Sequence, residues 1–269
     1  MSCYRSIVFS FLFFFSLSFP SYAQTMLDHS KWDHLLKSYV KDGLIDYEGL
    51  AKNRALLDDY INELESFPAG AFSQLSRENR MAFWLNLYNA NVIRFILDEH
   101  PVKSTEEIPA FFEVRKIKVI GEFFSLNELR DNVLINGFHD ERVLTALVSG
   151  RMDSPKMMAE AFQGDLLEQQ LNETAFQFVS NPSKNLLDPT QKKIYLSPIF
   201  QKYSSDFLFN FGASKDTPFS DSEASVVSFL LHHLKDPAKR IYLDSARYKI
   251  KYLPEDPRLN AVSNGRISS

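Results

Sequence analysis

The stretch from Asn79 to Leu97 constrains this chain more than any other, because it is apolar on nearly every face of a helix. A helix of that kind belongs in the middle of a core or in a membrane. Asn86, Asn89, Asn91 and Arg94 interrupt it, and each would be costly in lipid, so the spacing predicts the central helix of a soluble domain. Asn86 and Asn89 stand three apart and share one face. A buried amide offers donors and an acceptor that must all find partners, so both are expected to pin neighbouring segments to the helix.

The segments around it read as an α+β fold, mainly helical, with small antiparallel sheets around the buried central helix. Asp28 to Val40 has apolar residues at helical spacing, and Gly43 to Tyr47 reads as a short strand. Glu48 to Phe67 reads as one or two amphipathic helices. Ser76 is expected to cap the central helix and His100-Pro101 to stop it. A hairpin is expected over Phe112 to Phe124 with its turn at Gly121-Glu122, followed by a helix from Leu126 to Leu134 that opens on a Ser125/Glu128 capping box. A short helix over Asp140 to Val148 leads into a breaker-rich loop, Ser149 to Pro155. Lys156 to Val179 reads as two helices with Gly164 as the break. Two strands around an Asp-Pro turn, a helix opened by Ser197-Pro198, a helix from Ser220 to Leu234, and one or two strands over Arg240 to Leu253 complete the chain.

Three features bear on where such a chain works. Arg5, the Phe/Leu-rich run from Ile7 to Phe19 and Ser21-Tyr22-Ala23 have the order of an export signal with cleavage before Gln24. The apolar run falls short of the roughly 20 residues needed to span a bilayer. The expected organisation is a signal peptide over 1–23, one globular domain over 24–261 and a disordered tail over 262–269. The protein is thus expected in the periplasm or secreted, with no transmembrane segment in the mature chain. Its one cysteine, Cys3, would leave with the signal, so the mature chain would have neither a disulfide nor a thiolate for catalysis or metal binding. The formal charge of −4 argues against a nucleic-acid surface. His29 and His34, five apart, miss the spacing that puts two ligands on one helix face and read as surface residues. His232-His233 point apart and suit a helix C-terminus. No metal and no cofactor is expected.

Trp84-x-Asn86-x-Tyr88-Asn89-Ala90, Pro101-Val-x-Ser104, the Gly121 hairpin with Ser125-Leu126, and Tyr248-x-Ile250-x-Tyr252-Leu253-Pro254 with Leu259-Asn260 together resemble domain of unknown function 547. The resemblance runs from about His29 to Asn260. It implies a His-Phe-Ala-x-Asn-Cys segment after the hairpin helix and a Cys-Pro five residues on. This chain departs from that pattern: Leu144 stands at the histidine, Val148 at the asparagine, and Ser149 and Ser154 at the two cysteines, while Ala146 and Pro155 keep the family residue. A serine hydroxyl is a poor nucleophile without an adjacent base, and leucine supplies none.

Two functions follow from the residues. The first is an exported, non-catalytic binding or scaffold domain that has lost the cysteine/histidine site, with an unidentified envelope or extracellular ligand. Its candidate binding residues are Asn86, Tyr88, Asn89 and Asp206, the last paired with Tyr203 as in the resemblance. The alternative is an envelope hydrolase or acyl transferase that uses Ser149 or Ser154 with His139, the histidine nearest in sequence.

Overall fold

The computed structural model describes residues 27–212 and 217–263. The export signal and most of the tail expected from the sequence lie outside them. Helix α1 (Ser30–Tyr39) leads into a hairpin of β1 (Val40–Lys41) and β2 (Leu44–Ile45), then α2 (Tyr47–Ala51), α3 (Arg54–Glu65) and α4 (Ala69–Ser73). The central helix is α5 (Arg77–Glu99). Ser76 caps it by accepting the Asn79 N–H at 3.1 Å, and the chain leaves the helix at His100. At about 1.5 Å per residue, α5 is long enough to back both neighbouring layers.

Asn86, Asn89, Asn91 and Arg94, which interrupt the apolar run of α5, are accommodated in three ways. Asn86 and Asn89 bond backbone of distant segments. The Asn91 amide donates to the Leu87 carbonyl of its own helix at 2.8 Å, and Arg94 reaches Glu65 at 2.7 Å. Around them α1 and α3 pack through Trp32 stacked on Tyr60, ring centroids 5.8 Å apart. Phe72, Phe83, Trp84 and Phe124 form a chain of edge-to-face contacts.

The expected second hairpin is shorter than the sequence suggested. Its strands are β3 (Ile117–Val119) and β4 (Glu122–Phe124), paired Ile117 with Phe124 and Val119 with Glu122. Ile120 and Gly121 hold the turn at positive φ. Residues 111–114 form a turn instead of a strand, because Phe111 packs edge-on against Phe95 in the core. The Ser125/Glu128 capping box opens α6 (Leu126–Glu128), which runs into a π-helical turn over Leu129–Ile135 and α7 (Asn136–Phe138).

After α8 (Val143–Ala146) the two expected helices reduce to one, α9 (Leu167–Ser180). Residues 156–163 form neither helix nor strand although their apolar residues have helical spacing. Side chains satisfy the backbone groups a helix would have paired. Asn86 bonds both the N–H and the carbonyl of Phe162, and Gln170 bonds the Ala161 carbonyl and the Gln163 N–H. Gly43 faces this segment so closely that a Cβ there would collide with Lys156.

Beyond α9, β5 (Leu186–Asp188) and β6 (Lys193–Leu196) form an antiparallel pair. Then come α10 (Pro198–Lys202), α11 (Leu208–Phe211), α12 (Asp221–His233), α13 (Pro237–Asp244) and β7 (Lys249–Tyr252), which joins β6 in parallel. The start of the stretch read as strand from Arg240 is therefore helix. Asp236 caps it by accepting from Ala238 and Lys239, and Pro237 takes the first helical position, where no N–H is needed. The antiparallel pairs are small and stand apart from one another, as expected of a mainly helical α+β chain.

Two hydrophobic clusters result, one around α5 and one around α12. Helix α9 belongs to both, with Leu167 and Leu171 in the first and Ala175, Phe178 and Val179 in the second. A strap over 258–262 then closes the first cluster. Arg258 bridges Ser104, Leu259 bridges Arg151 and Ala261 bridges Ile45. Tyr47 donates to the Asn260 side chain at 2.7 Å. Val262, which the sequence placed in the tail, donates its N–H to Ile45 at 3.0 Å.

His29 is also corrected. It is buried at the head of α1, with Nδ1 2.8 Å from the Tyr60 hydroxyl, and burial pushes its imidazole from 6.5 down to about 4.

Two outcomes are expected. Asn86→Leu leaves the Phe162 N–H and carbonyl without partners and should cost about 1 to 3 kcal/mol, read as a lower urea midpoint at unchanged slope. An unchanged midpoint would contradict the clamp. For His29, the folded state binds its proton less readily than the unfolded chain, so its contribution is complete above about pH 6.5 and is lost as pH falls toward about 4. His233, pushed down to about 4 chiefly by burial, acts in the same direction. Melting temperature should fall across that window, and His29→Gln should make the fall shallower.

Candidate functional site

A cleft of about 240 Å³ opens where the two hydrophobic clusters meet. Several stretches of chain build it, with Phe112, Glu113, Asn127 and Glu255 at its edges. Tyr88 comes from α5, Arg130 from the π-helical turn, Leu144 from α8, Leu147 to Pro155 from the following loop, and Pro198 to Tyr203 from α10 and its end. Leu144, Val148, Ser149, Ser154 and Pro155 all line it. The positions at which the resemblance puts a histidine, an asparagine and two cysteines are therefore gathered in one place.

The loop carrying those positions is held from several sides. Asn89 donates to the Ala146 carbonyl at 3.1 Å and accepts the Val148 N–H at 3.0 Å, fixing the turn between them. Gly150 has a φ of 75°, and a Cβ there would lie 2.5 Å from Ile96, so backbone and space both call for glycine. Arg151 reaches Asp153 at 2.9 Å, Glu106 at 2.8 Å and Glu255 at 2.7 Å. Asp153 accepts the Asp256 N–H in turn. Lys184, largely buried, donates to the Met152 carbonyl, and burial lowers the pKa of its ammonium.

The candidate nucleophiles differ from each other. Ser154 is 4% exposed, and its hydroxyl donates to the Arg151 carbonyl at 2.8 Å, so it serves the loop. Ser149 is half-buried on the cleft wall. The structure does not bring His139 to either serine. It ends α7 in the left-handed conformation, stacks on Phe209 with centroids 4.4 Å apart, and lines a separate hollow with Glu141, His232 and His233. Serine and histidine thus face different surfaces.

The candidate binding residues also separate. Asn86 and Asn89 are 0% and 2% exposed and commit their amide groups to backbone, so they shape the cleft from behind. Tyr88 lines the cleft directly. Burial raises its hydroxyl well above the ordinary value, although the Arg130 charge works against that rise. Asp206 is half-buried and does not line the cleft. Its N–H donates to the Tyr203 carbonyl at 3.0 Å, and burial, helped by the Asp131 charge, raises its carboxyl.

Sequence reading passed over Arg130 and Lys202. Arg130 holds Asp131 with two bonds, 2.6 and 2.7 Å, and lies over the Tyr203 ring, 5.4 Å from its centroid. Burial opposes its charge, but the bond to Asp131 together with the Tyr88 and Tyr203 hydroxyls more than offsets this and keeps the guanidinium above its ordinary value. Lys202 approaches the same ring at 5.3 Å, and burial pushes the Tyr203 hydroxyl up to about 12. Adjacent residues of a regular helix point apart, so the Arg130–Asp131 pair gave no readable pattern. The π-helical turn was the missing signal, and such turns are frequent at functional sites.

Among the described residues no group of three or more histidine, cysteine or acidic side chains could hold a metal ion. No helix among them is long and apolar enough to cross a membrane. No curated protein and no solved structure matches the chain. Residues 72–179, from the end of α4 through most of α9, do match a known family, and they contain α5, both asparagine clamps and the cleft loop. That segment is similar to the family described as a protein of unknown function, DUF547.

Proposed function

We propose that this protein is an exported domain, periplasmic or secreted, whose cleft binds a small ligand without turning it over. The observation that carries the reading is the composition of the cleft wall. Leu144 and Val148 fill two of the positions at which the resemblance expects chemistry, and the Ser154 hydroxyl is committed to a backbone carbonyl. Ser149 alone remains as a nucleophile. It needs a base within about 2.6 to 3.2 Å, and the nearest histidine in sequence faces another hollow. A binding role fits what is left: a formed cleft with an apolar wall and a few polar groups, on a loop held rigid by a buried amide and an arginine network. Export is supported by the order of charged, apolar and small residues at the N-terminus.

Mass spectrometry of the protein recovered from its native compartment should give Gln24 as the first residue, and recovery with Met1 in place would remove the export reading. Ser149→Ala and Ser154→Ala should leave ligand binding intact. In a broad ester, amide and acyl-transfer screen, wild type and both variants should be equally inactive. Turnover by wild type that a folded Ser149→Ala variant loses would establish the hydrolase in its place.

A further inference from the structure

The polar groups of the cleft are not spread evenly. Around the Tyr203 ring stand the Tyr88 and Tyr203 hydroxyls, the Arg130 guanidinium and, at the exposed rim, the Lys202 ammonium. All four are donors. Tyr88 is 2% exposed, and among the described residues nothing accepts from its hydroxyl; the same holds for Tyr203. Asp131 balances the Arg130 charge, but among the described residues no carboxylate pairs with Lys202. Elsewhere in the cleft the acids are occupied. Asp153 and Glu255 are bound by Arg151, and Glu113 accepts from Asn127 at 3.0 Å. Behind the donors the wall is apolar, formed by Leu144, Leu147, Val148 and Ile199.

Two hydroxyls without acceptors, one unpaired positive charge beside the Arg130 guanidinium and an apolar wall define a ligand by complement. Resting on the reading of this cleft as a binding site, we propose that it takes a small monocarboxylate with an apolar tail, the carboxylate among Tyr88, Tyr203, Arg130 and Lys202 and the tail against Leu144, Leu147 and Val148. The 240 Å³ available equals the liquid volume of about eight waters, which suits an acid of roughly eight non-hydrogen atoms. Neutral and cationic analogues of the same length lack what the donors need. The amide brings one acceptor and its own donors, and the amine brings a like charge toward Lys202.

The test is titration of the purified protein with hexanoate, hexanamide and hexylammonium, followed by NMR of protein and ligand. For an acid of this size a Kd on the order of 0.1 to 1 mM is expected. Hexanoate should bind at least about ten-fold more tightly than either analogue, and Lys202→Gln should remove most of that preference. Tyr203→Phe keeps the ring that both cations face and loses only the hydroxyl, so a weaker hexanoate complex there with an unchanged melting temperature supports the donor role. The inference is overturned if hexanoate fails to bind, if hexanamide or hexylammonium binds as tightly, or if Lys202→Gln leaves the preference unchanged. Ethyl hexanoate serves as a separate arm. Its hydrolysis would end the non-catalytic reading while a retained preference for hexanoate left the ligand class standing.

Discussion

Two asparagine side chains on one face of a buried helix decide how the rest of this chain is arranged. Asn86 and Asn89 stand three apart on α5, and each offers its amide as if it were a neighbouring strand, donating to a carbonyl and accepting an N–H. Buried chain without regular structure is rare because its backbone polar groups have no partners. Here the partners project from the centre of the core. That permits the chain to run through the interior at 147–148, just past the end of α8, and again near Phe162, alongside one helix and without forming helix or sheet there. Asparagine is a mediocre helix former, and placing it mid-helix costs a few tenths of a kcal/mol. Each clamp satisfies two buried backbone groups, so the balance favours it by a wide margin.

From these clamps the position of the cleft follows. The segment fixed by Asn89 continues directly into the loop from Ser149 to Pro155, and the strap over 258–262 closes across that loop through Gly150, Arg151 and Met152. Arg151 then ties the loop to Glu106 on one side and Glu255 on the other. Arg151 is only 14% exposed and three acids surround it, so the network orients the loop more firmly than an isolated surface pair would. The opposite wall belongs to the second hydrophobic cluster, and α9 spans both clusters as a common element. The cleft is the seam between two cores, one of the places where ligand sites commonly form.

How much of this was legible depended on whether the determining interaction was local. Ser76, Ser125 with Glu128, and Ser220 with Glu223 cap helices that begin where the residues say they should, because a cap is settled within four residues. The apolar character of 79–97 announced a buried helix for the same reason. The segment 156–166 misled because its apolar spacing is helical while its backbone is held by Asn86 and Gln170, residues that no local pattern connects to it. The strand reading from Arg240 failed because Asp236 and Pro237 just before it start a helix. The resemblance singled out Leu144, Ser149 and Ser154, yet the cleft around them draws Arg130 and Lys202 from elements whose meeting depends on a π-helical turn and on packing between the two clusters.

Under the proposed function, the division of labour within the loop lets the positions at which the resemblance expects chemistry differ while the fold holds. The residues that fix the cleft are Asn89, Gly150 and Arg151, and none of them is a position where the resemblance expects chemistry. The positions that differ were then free to serve packing. Leu144 lies in the second hydrophobic cluster, where burying a leucine contributes roughly 1.5 to 3 kcal/mol that a polar imidazole would not. At Ser154 a hydroxyl close in size to a thiol is the stronger donor to the Arg151 carbonyl. Active sites commonly hold strained or poorly packed groups at a cost in stability, and a site released from turnover can recover that stability residue by residue. Under the proposed function, Leu144 and Ser154 are such recoveries, and the Tyr88 and Tyr203 hydroxyls and the Lys202 ammonium, for which the described residues supply no acceptor, are what selection for binding retains.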